Sequence, residues 1–294
     1  MTPRITLRQL SVFDAIARHN SVSRAADEIA LSQSAASMAL ADLEQHLKAP
    51  LFSRQGKRLL LNDFGRSLQP KVHALLRDAR DIEMAASQDE LQGECRIAAS
   101  STIGNYLIPG LIADFVHRHP GVHIDLEVGN TVQVEEAMLS LSADLGLIEG
   151  LCHHPQLIAE RWRTDTLRVF CAPDHPLAQK DVVHLIELNE AFWILREPGS
   201  GTREIFTMAT WGKLDQLVVR LELGNSEAIK QAVRTGLGLS CLSESVIAEE
   251  LDQGQLVALN VPELDLTRQL SLLKRREQQD SRLMAALTQH LSQY

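Results

Sequence analysis

SVSRAADEIALSQSAASMALADLEQHL, residues 21–47, decides how the front of this chain folds. Ala25, Ala26 and Ile29 recur at helical spacing and give a first short helix one apolar face. After Leu31, Ser32 is placed to cap a second helix that carries Ala35, Leu40, Leu43 and Leu47 inward. Gln33, Ser34, Ser37 and Met38 are left outward near its start. Short polar side chains on an exposed helix amino terminus suit a DNA major groove, where they meet base edges and phosphates. Upstream, Thr6 and Gln9 have the spacing of a capping box for a helix from Thr6 to Arg18. Downstream, LFSRQGKRLLLN (residues 51–62) reads as a hairpin turning at Gln55-Gly56, with Arg54, Lys57 and Arg58 at its tip. Three helices and a basic wing make a winged helix-turn-helix. An ordinary three-helix corner is the competing reading, and charge separates the two.

The whole chain of 294 residues carries a net charge of -9, which argues against a nucleic-acid partner. The charge is unevenly spread. Residues 1–80 hold 12 Lys and Arg against 7 Asp and Glu, whereas the remainder holds 17 against 31. A basic module on an acidic body points to nucleic acid at one end only. The cations of the hairpin, together with Arg8 and Arg24, are placed to hold phosphates, which orients a protein on DNA without reading its sequence.

Asn62 can cap a long helix from Asp63 to about Ser87, with Leu68, Val72, Leu75, Leu76, Ala79, Ile82 and Met84 spaced by threes and fours. So small a module cannot bury such a stripe alone. The expectation is packing against a second copy, which sets two recognition helices on one duplex. QDELQGE, residues 88–94, reads as a linker. From Cys95 onward strands and helices alternate, predicting a parallel-rich sheet covered by helices and split into two lobes. The composition, 45% hydrophobic, supports a real core for such a fold.

Three strand-to-helix junctions look alike: Ser100-Ser101-Thr102, Ser200-Gly201-Thr202 and Asn225-Ser226. Each offers free N–H groups and a hydroxyl or amide at the positive end of a helix, and ligands in such folds bind beyond the carboxyl ends of strands. Brought together they would cradle a small anion, with Arg203 adding charge and Glu149 accepting a hydrogen bond from a protonated oxyanion or an amine. Simple helix capping explains any one of them; three at equivalent places favour a ligand site.

Other chemistries find little support. Cys152-His153-His154 has no second ligand cluster, so no metal is expected. Gly199-Ser200-Gly201 lacks the spacing of a nucleophile elbow, and Gly236 and Gly238 form no dinucleotide fingerprint, so neither an enzyme nor a cofactor is implied. Cys95, Cys152, Cys171 and Cys241 form no CxxC pair and suit reduced thiols in a cytoplasm. A cysteine-based redox response is a second possibility, and a cytoplasmic small-molecule-binding protein without regulation a third. No apolar run spans a bilayer, and MTPRITLRQL is no secretory signal.

LRQLSVFDAIARHNSVSRAADEIALSQSAASMALADLE (residues 7–44) and LFSRQGKRLLLNDFG (residues 51–65) resemble the DNA-binding domain of LysR-type transcriptional regulators, and the likeness runs along the whole chain. The resemblance implies an α+β multi-domain protein: a winged helix-turn-helix over residues 1–62, a linker and dimerisation helix with hinge over 63–92, and an effector-binding domain over 93–294. That last domain would comprise two α/β Rossmann-like subdomains of periplasmic-binding-protein type II, one from residues 93–163 and 269–294, the other from 164–268. Crossover strands are expected near Arg161–Arg168 and Leu264–Leu273. SSTIGNYLIPG, GLIEG, REPGSGTRE and ELGNSEAIKQAVRTGLGLSCLS are most similar to the YeiE branch, which implies a sulfur oxyanion such as sulfite as effector. The partners implied are double-stranded promoter DNA, a small anion and further copies of the chain as a homodimer or homotetramer. Met38 stands where family members commonly carry Arg. Base readout therefore rests on Gln33, Ser34 and Ser37, with Met38 against a thymine methyl.

Overall fold

The computed structural model describes residues 4–55, 58–84, 91–214, 217–276, 278 and 280–294. The chain divides into two compact units near residue 90. The first begins with α1 (Leu7–His19), whose N-cap Thr6 forms the expected capping box with Gln9. The helix α2 (Val22–Glu28) follows, then α3 (Gln33–Leu47), capped by Ser32. Between them Ala30 takes a left-handed φ of 53°, while Leu31 N–H donates to the Ala26 carbonyl and Ala30 N–H to that of Asp27. This pair of bonds closes the carbonyl end of α2 and fixes the sharp turn into α3.

Val12, Phe13, Ile16, Ala25, Ala26, Leu40, Leu43 and Leu51 pack together in the interior of this unit. On α3 the fully buried alanine is Ala36, and Ala35 and Leu47 are only half-buried. The inward stripe therefore starts one residue later than the sequence pattern suggested, because Ser32 bonds Ala35 N–H at the very edge of the helix. Strands β1 (Phe52–Gln55) and β2 (Arg58–Leu61) form the wing, anchored by Phe13 against Phe52 at 5.6 Å between ring centroids. Next comes α4 (Asp63–Met84), where Asn62 Oδ1 accepts from Gly65 N–H as its cap. Val72 and Leu76 turn into the core, but Leu75 and Ile82 remain 49% and 76% exposed. One helix thus carries two apolar stripes, one satisfied within the unit and one not.

The second unit opens with β3 (Gln92–Ser100), so the strand starts inside the stretch read as linker. Residues 88–90 of that stretch lie outside the described residues. A π-helical turn (Ile103–Leu107) leads from β3 toward α5 (Pro109–Arg118). Pro109 has no N–H to continue a preceding helix but suits a first turn, so it restarts the helix there. The chain continues through β4 (Gly121–Gly129), α6 (Thr131–Leu139), β5 (Leu145–Ile148), β6 (Leu157–Cys171), the one-turn α7 (Leu185–Leu188) and β7 (Phe192–Arg196). It ends with α8 (Gly201–Thr210), β8 (Val218–Leu223), α9 (Ser226–Arg234), β9 (Ser240–Ser243), α10 (Glu244–Asp252), β10 (Val257–Leu259), β11 (Thr267–Arg275) and α11 (Arg282–Leu291).

The main sheet is mixed rather than parallel-rich. Its strand order is β10-β6-β11-β5-β3-β4, with β9 also on β6. Only β3 pairs in parallel, with β4 and β5. The antiparallel pairs arise from β6 and β11, which run side by side from Leu157 opposite Arg275 to Thr166 opposite Thr267, with a bulge between Leu270 and Ser271. Beyond that point β6 continues onto β9 and β10, with the parallel pair β7–β8 alongside. One lobe buries Phe115, Leu145, Leu147, Leu283 and Leu287; the other buries Trp193, Phe206 and Leu239. The two crossover strands join these cores, and the strand ends that carry the predicted junctions meet at the seam.

Candidate functional site

The first unit presents the residues chosen for DNA. Ser32 Oγ accepts from Ala35 N–H at 3.2 Å and lies 3.0 Å from Ser34 Oγ, so the cap is built before any partner arrives. Gln33, Ser34, Ser37 and Met38 are exposed on one end of α3, Met38 by 67%. Arg8 on α1, Arg24 on α2 and Arg54 on β1 are exposed as well. Lys57 and the side chain of Arg58 lie outside the described residues. Behind this face Arg18 pairs with Glu28 at 2.6 Å and with the buried Asp14 at 3.2 Å, so this cation is spent on holding α1 to α2.

In the second unit two of the three junctions converge. Thr102, after β3, and Thr202, on α8, come from opposite lobes, and both hydroxyls accept from the fully buried Arg268, at 3.3 and 2.9 Å. Arg268 also donates to Asp165 at 2.7 Å and to Glu149 at 3.1 Å. Asp165 in turn accepts from the Ser243 hydroxyl at 2.7 Å. Glu149 is therefore not waiting for a ligand's proton. Its carboxylate accepts the N–H groups of Thr102 and Ile103 and the Thr202 hydroxyl, filling the positive helix end that the sequence reading left open. Burial pushes the pKa of Glu149 upward, but the guanidinium groups of Arg268 and Arg196 outweigh it and hold the carboxyl below its ordinary range. An ion group this well bonded is costly to break and pins the two lobes to one another.

The backbones also touch here. A Cβ on Gly201 would stand 2.6 Å from Gly150 N and 2.7 Å from Thr131 Oγ1, so no side chain fits at the amino end of α8. Ser200 caps that helix through Arg203 N–H. Arg203 does not charge the cleft, because it bonds the Arg196 carbonyl at 2.9 Å and pairs with Glu222. The third junction is spent locally: Asn225 caps α9 through Glu227 and Ala228 N–H, at 2.7 and 3.3 Å.

Sequence reasoning missed the residues that join the lobes beside this ion group. Arg196, 2% exposed at the end of β7, donates from Nη2 to Ser101 Oγ of the opposite lobe at 3.0 Å. It grips Glu197 in two places, at 2.8 and 2.9 Å, and Glu197 accepts from Asn130 across the seam at 3.2 Å. The available signal was a single arginine closing the apolar strand FWILR and another opening β11. Among the described residues no three His, Cys, Asp or Glu side chains gather as a metal site.

A helix-turn-helix with a wing, followed by a two-lobed fold with polar strand ends meeting at its seam, defines a DNA-binding regulator with an effector-binding domain. Residues 7–66 match the family described as bacterial regulatory helix-turn-helix protein, lysR family, and residues 88–294 match the LysR substrate binding domain. The chain is 48% identical over 273 residues to YeiE of Escherichia coli (strain K12), an HTH-type transcriptional regulator, covering 93% of this chain and 92% of that protein. A full-length OxyR variant from Pseudomonas aeruginosa has the same fold, with a TM-score of 0.77 at 21% identity over 99% of this chain and 95% of that one. The CcmR regulatory domain of Synechocystis PCC6803, solved in complex with 2-PG, is 31% identical over 69% of this chain and 97% of that one, with a TM-score of 0.65. The chain belongs to the LysR family of transcriptional regulators. The expectation of a regulator rather than an enzyme holds, since the matched relatives are named as regulators.

Proposed function

We propose that this regulator reads a small inorganic oxyanion, with sulfite the first choice, at the seam between the lobes of its second unit, and reads promoter DNA with the amino end of α3. The carrying observation is the buried Arg196 guanidinium, whose Nη1 has no hydrogen-bond partner among the described residues. A buried guanidinium N–H without an acceptor is expensive and calls for an anion. Ser100, Ser101, Thr102, Glu149, Ser200, Gly201, Thr202, Arg203, Asn225 and Ser226 would surround or position it, with Glu149 and Arg203 acting through the ion pairs described above. The 2-PG complex of CcmR supports a small ligand for such a domain. Gln33, Ser34, Ser37 and Met38 would meet bases. Ser32 would hold the helix end, while Arg8, Arg24, Arg54, Lys57 and Arg58 hold phosphates.

The exposed Leu75 and Ile82 fit a homodimer built on α4, and a dimer of dimers would extend it. This division of labour assigns residues 1–62 to DNA, 63–92 to the linker and dimerisation helix and 93–294 to the effector, in a cytoplasmic setting. A redox response is the weaker reading: Cys95, Cys171 and Cys241 are buried, and burial pushes the Cys171 thiol to about 11 and that of Cys241 higher still. The deciding experiment is a thermal-shift panel of sulfite, sulfate, phosphate and nitrate, with and without the protein's own promoter fragment. At 100 times its Kd an anion stabilises by about 2.7 kcal/mol, well within reach of such a measurement. Sulfite should raise the Tm and alter promoter retardation; a flat response to all four anions would end this reading.

A further inference from the structure

Resting on the oxyanion reading above, the geometry around Arg196 makes a sharper statement about how the anion enters. Arg196 offers five N–H donors, of which Nε and Nη2 are used by Glu197 and Ser101 while Nη1 stays unsatisfied and buried. The hydroxyls of Ser100, at the end of β3, and Ser226, at the start of α9, are likewise buried without partners among the described residues. Arg196 ends β7 opposite Leu223 at the end of β8, three residues before Ser226. A Cβ on Gly224 would stand 3.9 Å from the Glu197 carboxyl, so that carboxyl lies beside the approach to α9. Its side chain is about a quarter exposed, in contrast to the sealed Glu149.

We propose that Glu197 is a resident counter-ion capping the Arg196 subsite, and that the effector oxyanion binds by displacing it. An oxyanion seated on the Nη1–Nη2 edge would take the vacant Nη1 and also the Nη2 donor that Glu197 Oε1 now shares with Ser101, so the two anions compete for Nη2. Glu197 is the carboxylate able to leave: water reaches it, and it sits in the loop before α8, whereas Glu149 and Asp165 are locked by Arg268. Its departure also breaks the Asn130 Nδ2–Glu197 bond across the seam. Binding therefore removes one contact between the lobes and replaces it with the anion, which gives the ligand differential affinity for two arrangements of the lobes.

The test is calorimetric titration of sodium sulfite into the full-length protein and three variants. Glu197→Gln keeps the Asn130 contact but gives up the charge, and should bind sulfite at least tenfold more tightly than the parent. Arg196→Lys keeps the charge but loses the fork, and should bind at least thirtyfold more weakly, with a lowered urea midpoint but the circular dichroism spectrum of the parent. Glu204→Gln removes a carboxylate of α8 that pairs with His153 and not with Arg196, and should leave affinity unaltered. A gain only in Glu197→Gln, or sulfite binding seen in that variant alone, upholds the cap. Equal gains in Glu197→Gln and Glu204→Gln would reduce the effect to general charge repulsion and overturn it. Sulfite binding by the parent with no gain in Glu197→Gln overturns the cap and leaves the oxyanion reading standing. Silence from parent and Glu197→Gln alike overturns both.

Discussion

The amino end of α3 and the junctions after β3 and β7 carry the same sequence signal, serine or threonine at a helix start, yet the molecule uses them in opposite ways. At α3 the hydroxyls of Ser32 and Ser34 close a local cap and the neighbouring side chains face outward. At the seam, Thr102 and Thr202 meet each other through Arg268, and the helix end is filled from within by Glu149. The difference comes from what lies behind. Gln33, Ser34, Ser37 and Met38 are exposed, so the polar groups among them remain for an outside partner. The seam has low dielectric and a second lobe, so unsatisfied donors there would be costly and the chain supplies its own anion. Where the fold itself fills a helix start, as Glu149 does at the seam, any ligand must be held by other donors, of which Arg196 Nη1 has no partner among the described residues.

Substitution at the saturated end should give the largest effect. Arg268→Met leaves Glu149 and Asp165 buried without their cation, and urea denaturation should show a loss of about 3–5 kcal/mol. A loss below about 1 kcal/mol would mean that water already screens these charges and that the two helix ends are not so different. At the open end, Gln33→Ala should cost about 1–3 kcal/mol of discrimination between operator and random DNA in competition binding, at unchanged Tm. Arg54→Ala should instead weaken both DNAs alike and lower the salt slope by about 1. If the two variants lose affinity on both DNAs to the same degree, base readout is not at α3. The smallest effect belongs to the turn between α2 and α3: Ala30→Gly relieves the left-handed backbone and should stabilise the first unit by about 0.5–1 kcal/mol in a thermal melt.

Much of this architecture was legible because its causes are local. The capping box of Thr6 and Gln9, the Ser32 cap, the Asn62 cap and the alternation after Cys95 each depend on residues a few positions apart. Thr102, Thr202 and Glu149 were legible as positions, since strand ends and helix starts can be read from periodicity. Their partners were not. Arg268 finds Asp165 from 103 residues away in the chain and Glu149 from 119, and Arg196 finds Ser101 from 95. No pattern within one strand shows which distant carboxylate will face an arginine. The mixed sheet escaped notice for the same reason, because the antiparallel pairing of β6 with β11 joins segments separated by a whole lobe.

Those two long strands set how the lobes can rearrange. Neither lobe owns them, so excising either half would strip hydrogen-bonded edges from the other. Any opening must be absorbed as torsion along a two-stranded ribbon bulged at Leu270–Ser271, rather than as free swinging about a loop. A ribbon twisted away from its resting shape is pulled back toward it, so any lobe movement that a ligand imposed would be undone by these strands once the ligand departed.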